Sequence, residues 1–109
     1  MYFPAKLIQA TKLTFKGQIS GYLLDARPAG AGFKGAMFFD IHQRSGNGDT
    51  VVTDDIATMD EEQGYSIAVT VSGARYVIVS LLLFMVEEVD GVEQTVIYSM
   101  TRDGAASNV

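Results

Sequence analysis

The chain has 109 residues, of which 48% are hydrophobic and 19% charged, a composition that supports one folded domain and excludes a disordered chain. It has no cysteine, no tryptophan and a single histidine, which excludes a disulfide scaffold, a thiolate metal site and a cysteine nucleophile. The net charge of −5 is unevenly spread: residues 1–44 carry six bases and two acids, a balance of +4, and residues 45–109 carry two bases and eleven acids, a balance of −9.

From the N-terminus, no basic start leads into an apolar run of signal-peptide length. Lys6–Phe15 and Gln18–Leu24 are rich in Thr, Ile, Leu and aromatics and predict two strands, with Gly17 turning one into the other. Ala26–Gly32, with its proline and two glycines, predicts a long mobile surface loop. Phe33, Met37, Phe39 and Ile41 share one parity and predict a third strand. Asn47-Gly48 predicts a two-residue hairpin turn, because both central positions of that turn need positive φ.

Thr53–Gln63 reads two ways. It has the marks of a short helix, with Thr53 as cap, Asp54 and Asp55 in the first turn and Gly64 as the stop. Its apolar stripe is thin, so a strand over Asp49–Met59 followed by an acidic turn is preferred. Tyr65–Ser72 alternates strictly and predicts a half-buried strand closed by Ser72-Gly73. Tyr76–Val86 is apolar on both parities, which predicts a central strand needing cover on both sides. At eleven residues it is too short for a spanning helix, which needs about 20, and a cytoplasmic, non-membrane protein is the expectation. Asp90-Gly91 predicts a second two-residue hairpin turn, leading into an alternating strand from Val92 to Met100. Asp103–Val109 reads as a flexible tail. The expected fold is therefore all-β, with any helix confined to Thr53–Gln63. It is a small antiparallel barrel or sandwich of about six or seven strands, forming one domain over residues 1–102.

Candidate chemistry is sparse. Gly30-Ala31-Gly32-Phe33-Lys34-Gly35 has G-x-G-x-x-G spacing, but the residues after it read as strand, so a pyrophosphate would meet no helix N-terminus. Asp54, Asp55, Asp60, Glu61 and Glu62 lack the spacing of a calcium loop and read as a solvated acidic turn. Glu87, Glu88, Asp90 and Glu93 crowd a hairpin end and keep that edge soluble. His42 has no neighbouring acid and nucleophile in a triad-like arrangement. No enzyme activity, metal or cofactor is expected.

Three binding functions remain open. The leading expectation is a homo-oligomeric assembly module, because one strand is too apolar for a lone small sheet; Val79, Leu81, Leu83 and Met85 are its candidate interface. The second is single-stranded nucleic-acid binding through Lys6, Lys12, Lys16, Lys34, Arg44 and Phe38. There, basic side chains at common strand parity would track a backbone and aromatics would stack on bases. The third is an acidic decoy or regulator that presents Asp and Glu to a basic partner protein.

Overall fold

The computed structural model describes residues 3–101 and 106–108, and in it the chain is mostly β with one short helix. The helix, α1 (Ala5–Thr11), lies where the sequence predicts a strand. Good helix formers, Ala5, Lys6, Leu7, Gln9 and Ala10, follow Pro4, and Leu7 and Ala10 stand one turn apart on the buried face. Seven residues are too few for a helix to be stable by itself. Docking of Leu7 and Ala10, both fully buried, holds α1 in place.

Nine strands follow among the described residues: β1 (Gly21–Ala29), β2 (Gly32–Phe38), β3 (Asp49–Val52), β4 (Ile56–Glu62), β5 (Tyr65–Thr70), β6 (Arg75–Ile78), β7 (Ser80–Val89), β8 (Val92–Thr101) and β9 (Ala106–Asn108). Thr53–Gln63 thus takes the strand alternative, although the predicted single strand is divided between β3 and β4. The predicted long loop at Ala26–Gly32 is instead the tight end of a hairpin: β1 runs to Ala29, Gly30 turns the chain at φ +61°, and Arg27 pairs with Lys34. At Asn47-Gly48 the two-residue turn gives way to a long loop at residues 39–48. There the Asp40 carboxylate accepts the backbone amides of His42, Arg44 and Ser45, and the Asn47 side chain accepts that of Phe39. Asp90 and Gly91 both have positive φ, as that hairpin requires, and the Gln63-Gly64 turn shares the property although its residue types do not announce it. Residues 106–108 of the predicted tail pair with β8; the rest of that segment lies outside the described residues.

The body is a multi-stranded sheet in the order β3-β2-β1-β6-β5-β4 and is not a closed barrel. It curls, because residues 53–55 carry the chain from one edge strand to the other. Thr53 donates to the Phe33 carbonyl, Ile56 to Ala31 and Val71 to Asp55. Two apolar clusters result. On one face Leu24, Phe38, Tyr65, Ile67, Val77 and Val79 meet Leu7 and Ala10 of the helix. On the other, Leu23, Ala26, Met37, Ala68 and Ile78 pack together with Phe33, Val51, Ile56 and Tyr76, so that every strand of the body contributes.

A bulge at Asp25, with φ +54°, switches the parity of β1, so Leu23 and Ala26 face the same cluster. Two glycines allow the tight approach of neighbouring backbone. A Cβ at Gly32 would lie 2.7 Å from the Thr53 carbonyl oxygen, and one at Gly35 would lie 2.9 Å from that of Leu24. These roles account for Gly30, Gly32 and Gly35 of the G-x-G-x-x-G spacing. Among the described residues no helix is long and apolar enough to cross a membrane.

Candidate interaction surface

The predicted continuous strand Tyr76–Val86 is divided at Val79 into β6 and β7, and the division decides which apolar residues are covered. Val77 and Val79 pack under α1, and Ile78 and Tyr76 pack inside the curled sheet. A helix and the sheet's own curvature therefore supply both covers within one chain as far as residue 79.

Beyond that point β7 leaves the body. Its register with β1 consists of one pair, Ala26 with Leu81, among the described residues. Ser80 fixes the point of departure. Its buried hydroxyl accepts the Asp25 amide at 2.9 Å and lies 3.3 Å from the Asp25 carboxylate, while the Val79 amide donates to the Leu23 carbonyl. From there β7 and β8, ten residues each, pair from Ser80–Thr101 to Val89–Val92 as a long arm, with β9 added beside β8 at Tyr98–Met100. The molecule measures 50 Å along its long axis and 29 and 26 Å across.

The arm is apolar and open. Leu81 is 40% exposed, Leu83 36%, Val86 70%, Val89 47% and Val92 58%. Strand alternation sets Leu81, Leu83 and Val89 on one face, and the Val89–Val92 pairing adds Val92 to it. The far end is acidic: Glu88 and Glu93 lie directly opposite one another, beside the Asp90 turn. Between Ser80 and Thr101 the sequence has four acids and no Lys, Arg or His. Of the candidate interface residues, Leu81 and Leu83 stand on this surface. Val79 is buried in the body, a correction to its expected place, and the Met85 side chain lies outside the described residues.

The candidate nucleic-acid residues do not form the expected strand face. Lys6 lies on α1, 3.9 Å from the Asp25 carboxylate, and Lys12 caps the same helix six residues on, which helical geometry turns to a different side. Lys16 lies in the following linker, where its backbone amide donates to Glu62. Lys34 is exposed on β2 and Arg44 on the 39–48 loop. Phe38 is 7% exposed, packed edge-on against Phe3, and has no face open for stacking. Phe39, turned outward by a φ of +54°, is the exposed ring of this pair.

Where the curled sheet opens, Asp40, Arg44, Asp54, Ser72 and Tyr76 help to line a cleft of 280 Å³. Its acids are engaged within the fold: Asp40 holds the 39–48 loop, and Asp54 accepts the Ser72 hydroxyl at 3.0 Å. Burial, helped by the Asp40 carboxylate, raises the Tyr76 phenol above its ordinary pKa and keeps it a neutral hydroxyl. His42 sits on the outside of the same loop and contributes its backbone amide to Asp40.

Comparison with known proteins finds no matching family model, no matching curated protein and no matching solved structure.

Proposed function

We propose that this protein is a non-enzymatic assembly module that associates with copies of itself through the β7–β8 arm. One observation carries the reading: the body covers its own core on both faces, whereas the arm holds Leu81, Leu83, Val86, Val89 and Val92 in the open. Beyond the β1 contact at Leu81 and the stretch where β9 pairs with Tyr98–Met100, no third strand joins β7 and β8 among the described residues. A two-stranded ribbon is marginal in water without a third strand or a packed face. A second protein surface on the arm supplies that cover, and contiguous exposed apolar residues of this kind mark interaction sites.

The test is the mass in solution by light scattering across micromolar concentrations. The expected result is an oligomer, and one that Leu83→Asp dissociates while leaving the folded body intact by circular dichroism. A wild-type mass staying at the 11.8 kDa of one chain would remove the reading.

A further inference from the structure

The cleft where the curled sheet opens holds charges of both signs that do not pair with each other. Arg44 reaches it from the 39–48 loop and Asp54 from the link between β3 and β4. Among the described residues the Arg44 guanidinium makes no hydrogen bond and no ion pair; only its backbone amide is engaged, by Asp40. Asp54 accepts the Ser72 hydroxyl on Oδ2, and its Oδ1 has no partner among those residues. Asp40 differs, because its two oxygens already accept three backbone amides. Tyr76 stands among these groups: the charges of Asp40, Arg44 and Asp54 all act on its phenol, which makes no hydrogen bond among the described residues. Beneath them the floor is apolar. Met37 is buried, and Val51 and the Tyr76 ring pack with it in the cluster inside the sheet.

We propose that this cleft binds a free α-amino acid with an apolar side chain: its carboxylate on Arg44, its ammonium on Asp54, and its side chain on Met37, Val51 and Tyr76. The charges select the class. A ligand that is only an anion meets two carboxylates, and one that is only a cation lies beside an unpaired guanidinium. A zwitterion gives each free charge its counter-charge, and hydrogen bonds between ionised groups are the strong kind. The Tyr76 hydroxyl adds a neutral donor within reach of the same carboxylate. Adjacent charges of opposite sign also separate a free amino acid from the end of a peptide, which carries one of the two. The 280 Å³ volume lies just below the range of ligand pockets, which begins at about 300 Å³, and so suits one small molecule. Among the described residues none from the β7–β8 arm lines the cleft, so this site is independent of the self-association reading.

The experiment is isothermal titration calorimetry with L-leucine and L-phenylalanine, paired with backbone amide chemical shifts. Saturable binding of one molecule per chain is expected for at least one of them, with shifts at Ser45, Val52 and Ala74, which line the cleft. For leucine as the ligand, leucinamide lacks the carboxylate and 4-methylpentanoate lacks the ammonium, and each is expected to bind about tenfold more weakly. Arg44→Gln removes a guanidinium that makes no bond within the described fold, and Asp54→Asn keeps an acceptor for Ser72. Both are expected to retain wild-type circular dichroism and to lose about tenfold in affinity. Neither heat nor shifts with either amino acid at about 10 mM would overturn the proposal. Leucinamide or 4-methylpentanoate binding as tightly as leucine would overturn it too, as would wild-type affinity in both folded variants. None of these measurements bears on the mass of the protein in solution, so this proposal and self-association fail separately.

Discussion

Glu62 at the end of β4 and Arg75 at the start of β6 form an ion pair, and both also hold the backbone of Lys16. The Glu62 carboxylate accepts the Lys16 amide at 2.7 Å and the Arg75 guanidinium, whose other nitrogen donates to the Lys16 carbonyl. Gln63 adds a hydrogen bond to the Thr14 carbonyl at 3.1 Å. The linker between α1 and β1 is thereby fastened to the β4–β5 hairpin, which sets the helix over its cluster. Gly17 fits beside Arg75 at φ +69°, a conformation that favours glycine.

This clamp gives the fold a defined response to acid. The Lys16 amide, followed by Arg75, lowers the Glu62 pKa below the ordinary value of 4.5. A lowered native pKa means stability that is fully present above the unfolded pKa and is lost as pH falls through the native one. Thermal unfolding is therefore expected to weaken below about pH 4.5, and Glu62→Gln is expected to lower Tm at pH 7 while flattening that acid limb. Equal pH dependence in wild type and variant would show that Glu62 is not the group responsible.

Leu7→Ala tests the helix as one cover of the core. Leu7 is fully buried among Leu24, Phe38, Tyr65 and Val77, and the substitution is expected to cost about 2–5 kcal/mol in urea unfolding. A loss below about 0.5 kcal/mol, the range of surface changes, would mean that α1 does not pack there.

Ser80→Ala tests the root of the arm. Its hydroxyl is the acceptor for the Asp25 amide on the bulge, and removing it strands a part-buried donor at an expected cost of about 1–3 kcal/mol. Amide exchange resolves the effect: protection at Asp25 is expected to fall while that of Ile67 and Val77 is kept. Unchanged exchange at Asp25 would contradict the assignment.

Gly35→Ala is expected to destabilise by about 1–3 kcal/mol, because a Cβ there meets the Leu24 carbonyl and the Ala26 backbone rather than a movable side chain. Gly73→Ala meets no atom within 4 Å, and its cost is confined to the strain of φ +89°. A smaller loss at Gly35 than at Gly73 in the same denaturant series would argue against the close β1–β2 approach.

Several parts of this protein are legible in its residues alone. The extended strand over Tyr65–Thr70 and the Asp90-Gly91 turn depend on neighbours one or two positions away, and local sterics fix both. Ala68 and Thr70, on the parity read as solvent-facing, are nonetheless buried too. The double apolar character of residues 76–79 is equally plain, as is their need for two covers. The identity of those covers is not, because a residue pattern records that a face is apolar and not what lies on it. One is a seven-residue helix whose buried stripe is just Leu7 and Ala10, too short a period to distinguish from strand-forming composition. The other is sheet curvature, set by residues 53–55 linking two edge strands and by the bulge at Asp25, both of which depend on pairings between segments far apart in the chain.

The charges divide in the same way. The acidity of the segment from Ser80 to Thr101 is a property of residue order, readable without any fold. That Glu88 faces Glu93 follows from the hairpin turn between them. That Arg27 faces Lys34 requires the Ala26–Gly32 segment to close as a hairpin, which Gly30 permits and the long-range bonds of Ala31 and Phe33 to the β3–β4 link complete. Backbone sterics and side-chain ionisation act locally, so most strands, the Asp90-Gly91 turn and the signs of charge can be read residue by residue. Burial is different, because it depends on which distant segment arrives to exclude water. Val77, Ile78 and Val79 are covered and Leu81, Leu83 and Val86 stand open because α1 and the curled sheet reach the first group and not the second.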